Sequence, residues 1–170
     1  MNREELERTV IEHMDSFTTM TLACCTEEKP WAAAVFYARQ GWDLIFFSSP
    51  ASLHSGMFAA NPRAAATIHG DYTGWKEIKG LQMEGTVIRI SGAKAKARAT
   101  ATYLSRYPFV KEFLSDPGSI SSLLTKKMAS VVLYMFRPTT IRYLNNESGF
   151  GARWQLQIRN GRVIGDAVPG

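Results

Sequence analysis

Apolar residues recur at four-residue spacing near the start of the chain. Leu6, Val10 and Met14, flanked by Ile11, predict an amphipathic helix over Asn2–Ser16. Beyond it the period shortens. Phe17–Cys25, rich in threonine, reads as a strand; Glu27-Glu28-Lys29-Pro30 turns the chain; Trp31–Arg39 is a second strand. Gln40-Gly41 turns again and Trp42–Ser48 completes a meander. A helix is expected near Pro50, capped by Ser49 and stopped by Asn61-Pro62. Ala64–Gly70 is a fourth strand and Tyr72–Trp75 a loop. Ile78–Ile90 is a long fifth strand, with Leu81, Met83 and Val87 on one face and Gln82 and Glu84 on the other. Gly80 and Gly85 mark bends or bulges there, Gly85 resetting the register.

The second half alternates in the same way. Ser91–Arg106 is alanine-rich and helical, Tyr107–Leu114 a short second helix, and Asp116–Ser119 a turn. Ala129–Leu144 is a sixth strand with Pro138 at an edge or bulge. Ala152–Ile164 is a hairpin, Arg153–Ile158 and Arg162–Ile164, about Asn160-Gly161. The expected fold is mainly β with α additions, an antiparallel barrel of six to seven strands in one domain, 1–170. Its additions are a helix at 2–16, a helical insertion at about 92–125 and a hairpin at about 152–164.

Composition narrows the function classes. The 170 residues are 45% hydrophobic and 21% charged, enough for one well-filled core. No apolar run reaches the ~18 residues of a membrane span. The first residues, Met-Asn-Arg-Glu-Glu, carry no apolar signal core, so a cytoplasmic location is expected. The net charge of +5 suits an anionic small molecule. No stacking-plus-basic motif accompanies it, so nucleic acid is not an expected partner. Cys24 and Cys25 are adjacent and point to opposite faces of their strand, which gives neither a disulfide nor metal spacing. His13, His54 and His69 show no paired metal spacing, and no hydrolase elbow, P-loop or GxGxxG is present.

Four groups of residues could carry chemistry. Ser48, Ser49, Ser52 and His54 crowd one strand-to-helix junction, where hydroxyls and free first-turn N–H groups can hold a phosphate. The same serines would also serve a plain helix cap. Ala32, Ala33 and Ala34, followed by Val35, let a flat ring approach the backbone, or let a helix pack closely. Lys79, Gly80 and Gln82 place an amide on the fifth strand. Gly149-Phe150-Gly151 presents an aromatic tip on a turn.

Three stretches in this order, WAAAVFYA with DLIFFSSPASLHSGMFAANPRAAATI, then KGLQMEGTVIRI, then FRPTTIRYLNNESGFG, resemble the pyridoxamine 5′-phosphate oxidase-like, FMN-binding split-barrel superfamily. The likeness runs from about Phe17 to Trp154, and is nearest to a small bacterial branch of unassigned activity. It implies a split barrel, a homodimer with FMN at the subunit interface, and a small-molecule redox substrate. Ala33, Ala34 and Val35 would line the flavin by backbone contact, and Ser48 and Ser49 would meet the ring and ribityl chain. Ser52, Leu53 and His54 match the phosphate segment, and Gly80 and Gln82 the strand reaching the partner's flavin. The family's second-strand arginine falls on Ala33 and its phosphate lysine on His54, two cations fewer, for which Lys79 or an arginine from elsewhere in the chain is a candidate replacement. The oxidase's substrate lysine falls near Ala38 and its Arg-x-His pattern is missing, so pyridoxal phosphate synthesis is not expected. No catalytic acid or base stands out, and the chemistry would reside in the flavin. Three other readings stay open: a haem protein using His13, His54 or His69 as ligand, a deazaflavin F420-dependent reductase, and a non-catalytic flavin carrier.

Overall fold

The computed structural model describes residues 1–110 and 130–170. The readings of Tyr107–Leu114 past Val110, of the Asp116–Ser119 turn and of the insertion to about 125 lie outside the described residues. Helix α1, Arg3–Ser16, begins with a reciprocal cap: the Glu5 N–H donates to the Asn2 side chain and the Asn2 N–H to the Glu5 carboxylate. Its buried stripe is Leu6, Val10 and Met14, as the spacing predicts.

Strands β1 (Thr19–Thr26), β2 (Lys29–Phe36), β3 (Ala38–Gln40) and β4 (Asp43–Ser48) follow. The expected second strand is two strands, broken at Tyr37. The Tyr37 hydroxyl donates to the Met14 carbonyl (2.5 Å) and anchors the break beneath α1. The first turn is tighter than expected, because Glu27 and Glu28 adopt φ of 48° and 62° and return Lys29 and Pro30 to the ladder. Pro30 is tolerated because β2 lies at the sheet edge.

Helix α2, Leu53–Ala60, begins later than expected. Ser52, not Ser49, is the cap, and Ser49–Ser52 forms a turn closed by the Ser52 N–H on the Ser49 carbonyl (3.0 Å). Pro50 sits at the second position of that turn, where its fixed φ is also favourable.

Strands β5 (Arg63–His69) and β6 (Lys79–Arg89), helix α3 (Ala93–Arg106), and strands β7 (Val132–Asn145), β8 (Arg153–Arg159) and β9 (Arg162–Pro169) complete the described elements. The sheet is antiparallel throughout and curls in the order β2-β1-β5-β6-β7-β4-β3, with β8 and β9 continuing from β7. The nine strands are more than the six or seven expected, because the second strand divides and the hairpin contributes two full strands. Asn160 and Gly161, at φ of 52° and 71°, turn that hairpin as the sequence predicts.

The β6–β7 pair carries a bulge where the sequence places the register shift, at Gly85, but the extra residue belongs to the partner strand. Glu84 faces Thr140 and Gly85 faces Pro138, so the extra residue is Thr139 on β7. The parity of β6 therefore continues, and Leu81, Met83 and Val87 all stay buried. The parity of β7 reverses. Tyr134 and Phe136 enter the barrel before the bulge, and Ile141 and Tyr143 after it. Gly80 marks no bend; a Cβ there would lie 3.1 Å from His69 Cβ and 3.2 Å from the Ile68 carbonyl oxygen, so the glycine admits a close neighbour.

The barrel core gathers residues of α1, α2, β1, β2, β4, β5, β6, β7 and β8, with Val163 and Ala167 of β9 packed against it. Helix α3 lies outside, on Ile45, Ile90, Leu133 and, further on, Ala38. This is why β4 is buried on both faces.

His13, at the end of α1, is packed against Phe17 and Tyr143, and its Nε2 lies 3.1 Å from the Ile68 carbonyl. Burial lowers its pKa, opposed in part by that hydrogen bond. A histidine whose folded pKa is depressed favours folding above its unfolded pKa and loses that contribution as pH falls through the folded value. The melting temperature should therefore drop on acidification below about pH 6.5. The drop between pH 7.5 and 5.5 should shrink in His13→Gln, which keeps a donor without a titrating group; equal slopes by calorimetry would contradict this.

Candidate functional site

Strand β4 and helix α2 meet at a compact polar cluster. Ser48 ends β4, Ser52 caps α2, and His54 and Ser55 lie in its first turn. Ser48 and Ser55 are 8% and 4% exposed, and Ser52 and His54 are half-buried. His54 Nε2 lies 2.6 Å from Ser48 Oγ and 3.1 Å from Ser52 Oγ. Ser52 Oγ is 2.8 Å from both the Ser49 carbonyl and Ser55 Oγ, and Ser55 Oγ reaches Ser48 at 3.4 Å. Three hydroxyls and an imidazole thus converge at the start of α2 and bond to one another. Backbone donors join them. The Gly56 N–H makes the first intrahelical bond, to the Ser52 carbonyl (3.1 Å), and the Ser55 N–H turns to Ser52 Oγ. The N–H groups of Leu53 and His54 precede that ladder and have no acceptor within the helix.

This donor set fits a phosphate ester in hydrogen-bonding character. It fits less well in charge. No arginine or lysine among the described residues bonds to the cluster. Burial holds the His54 pKa below its ordinary value, with no charged side chain contributing. Ser49 and the exposed Leu53 flank the cluster, Ser49 through the turn and Leu53 through its backbone.

The remaining predicted residues lie elsewhere on the chain. On β2, Val35 is buried and Ala33 and Ala34 are more open. Lys79, Gly80 and Gln82 are on β6, separated from β2 by β1 and β5. Ala34 faces Thr21, Thr21 faces Thr67, and Thr67 faces Gln82, so Ala34 and Gln82 share one cross-strand row. Three strand spacings put them about 14 Å apart. One copy of the chain therefore does not close both around a single ring. Within its own copy Lys79 is paired with Glu147, its Nζ 2.6 Å from the carboxylate, a bond that raises its pKa.

Residues the sequence reading passed over are also present. Ser55 joins the cluster because positions three apart share a helix face, a spacing visible from Ser52. Arg142, cross-strand from Gln82, bonds Glu84 (2.6 Å) and Gln155 (2.9 Å) on the open face. Phe150, the aromatic tip that the sequence does single out, is 83% exposed and meets Trp75 edge-to-face at 5.3 Å. Its turn is fixed by Asn146, whose side chain donates to the Trp75 carbonyl (2.7 Å) and accepts from the Gly151 N–H (3.0 Å). Among the described residues no group of His, Cys, Asp and Glu is arranged to hold a metal, and no helix is long and apolar enough to cross a membrane.

The outer face of β2, β1, β5 and β6 carries a band of small side chains. Ala32, Ala23 and Ala65 form one exposed row across three strands. An open groove of about 790 Å³ continues from it past Cys25, Arg63 and Gly85. It lies toward the far end of α2 from the serine cluster, since Asn61, which ends α2, also lines it.

The family model for pyridoxamine 5′-phosphate oxidase matches residues 6–145. A UPF0306 protein of Photorhabdus laumondii is 32% identical over 110 residues, which are 64% of this chain and 76% of the relative. A haem-binding protein of Mycobacterium smegmatis superposes with a TM-score of 0.65 at 22% identity, covering 89% of this chain. The chain spans 56% of that protein's length. An FAD-binding protein of Mesorhizobium loti superposes with a TM-score of 0.61 at 18% identity over 83% of this chain and 94% of its own. At these identities the likeness is one of fold, a split barrel of mostly antiparallel strands with few helices.

Proposed function

Since this chain belongs to the pyridoxamine 5′-phosphate oxidase family, we propose that it is an FMN-binding flavoprotein that works as a homodimer and carries out a redox reaction on a small molecule. The observation that carries this reading is the convergence of Ser48, Ser52, His54 and Ser55 on the start of α2, with the Leu53 and His54 N–H groups adding to it. Such a cluster suits the phosphate of FMN. Ala33, Ala34 and Val35 offer a low-relief strand for the ring, and Ser49 a hydroxyl beside the ribityl chain. Gly80 and Gln82 come from a second copy. Their distance from Ala34 within one chain favours two copies over one, and the exposed alanine row of β2, β1 and β5 offers the second copy a seat. Bound flavin supplies hydride or electron transfer; the chain's own residues hold its phosphate, set the ring's orientation and exclude water from one side. The proposed location is the cytoplasm.

Purified protein tests this directly. An absorption spectrum with flavin bands, or FMN uptake in titration with one FMN per chain and a dimer mass by light scattering, is the expected result. Monomeric protein that takes up neither FMN nor F420 would overturn it. Haem binding would appear instead as a Soret band lost on His→Ala substitution.

A further inference from the structure

We infer that the phosphate cluster takes up its ligand together with a proton, and that His54 is the residue that carries it. The inference rests on the reading of this cluster as the FMN phosphate site. A phosphomonoester is mostly a dianion above about pH 6. Among the described residues the cluster meets it with hydroxyls and N–H groups only, apart from one imidazole. Uncharged donors do not balance a desolvated dianion, and an imidazole can do so by gaining a proton.

The geometry makes His54 able to do this. Its Nε2 is already directed at Ser48 Oγ and Ser52 Oγ, the atoms a phosphate oxygen would meet. Protonated imidazole donates from both ring nitrogens, so Nε2 can turn from its serine partners to the anion, while the serine hydroxyls reorient to donate as well. Among the described residues the neighbours supply no competing charge. Phe58 packs on the ring from the next turn, with centroids 5.9 Å apart. Strands β1 and β2 pack on α2 and bring Cys24, Cys25 and Lys29 as titratable groups. These lie toward the opposite end of the helix: Cys24 Sγ is 3.6 Å from Met57 Sδ, Asn61 Nδ2 is 3.0 Å from the Cys25 carbonyl, and Lys29 is at the hairpin end beside Thr26. On β4, Asp43 is at the other end of the strand, paired with Arg137.

The sign follows from linkage. Burial keeps the ligand-free imidazole neutral at pH 7, and a bound dianion raises its pKa. Between those two values each bound phosphate brings close to one proton, and affinity falls by up to about tenfold per pH unit. Above the upper value the affinity levels off.

Calorimetric titration of FMN into the purified protein at pH 7.5, in buffers of different ionisation enthalpy, reads the proton count without reference to activity. We expect uptake approaching one proton for the wild type, and near zero for riboflavin, which lacks the phosphate. His54→Lys should abolish the uptake and bind FMN more tightly at pH 8, because its cation is permanent. His54→Gln should abolish the uptake and bind more weakly at pH 6.5. Wild-type binding without proton uptake, or the same uptake in all three proteins, would overturn this inference and leave the flavin reading intact. No FMN binding by any of the three at any pH would overturn both.

Discussion

Replacing Gly85 by alanine is expected to destabilise the protein by about 3 kcal/mol or more, the upper range for forcing extra volume into a packed site. A Cβ at this position would lie 2.2 Å from the Arg137 carbonyl oxygen and 2.9 Å from Pro138 Cα. Both contacts are backbone, so no side chain can swing aside. The two strands are pulled together there because Thr139 is squeezed out of the ladder. Relief would require the β6–β7 pair to separate, at the seam where each strand buries its core residues. Chemical denaturation should show a lower midpoint with an unchanged slope. Gly56→Ala is the control, because a Cβ there meets nothing within 4 Å and α2 gains helix propensity. Equal stabilities for wild type and Gly85→Ala would contradict the description of the bulge.

Ser52→Asp should abolish FMN binding while leaving the fold in place. Aspartate caps a helix as well as serine does, and its charge is favourable at a helix N-terminus, so the melting temperature should hold or rise. The same carboxylate would stand among Ser48, His54 and Ser55, where the phosphate is proposed to sit. Two like charges in a half-buried space cost several kcal/mol. A loss of FMN affinity of at least about 100-fold, roughly 2.7 kcal/mol, is expected by fluorescence titration. Riboflavin binding should change far less. Unaltered FMN affinity in a folded Ser52→Asp protein would place the phosphate elsewhere.

The sequence revealed most of the architecture because its periods are clean. Leu6, Val10 and Met14 are spaced for one helix face, and Asn160-Gly161 has the residues a tight hairpin demands. It was less informative where two local rules competed. Ser49-Pro50 and Ser52 both look like helix starts, and only the Ser52 side chain bonded to the Ser55 N–H decides between them. Gly85 correctly marked an irregularity, but a glycine that makes room for its partner strand reads the same as one that bulges itself. The break at Tyr37 depends on a bond to Met14, 23 positions earlier, which no local pattern reveals. The serine junction was legible as a cluster of donors. That its imidazole would be turned into the hydroxyls, and that Lys79 would be taken by Glu147, depended on packing between distant segments.

The reversal of β7 at Thr139 has a consequence for how the molecule comes apart. Before the bulge, Leu133 faces α3 while Tyr134 and Phe136 face the barrel; after it, Ile141 and Tyr143 hold the barrel side. One continuous strand is thus a wall shared by two rooms. Helix α3 cannot lift away without exposing the back of a strand that the barrel needs, so the outer layer is a poor candidate for an independently moving lid, and heating should collapse both layers in a single cooperative step.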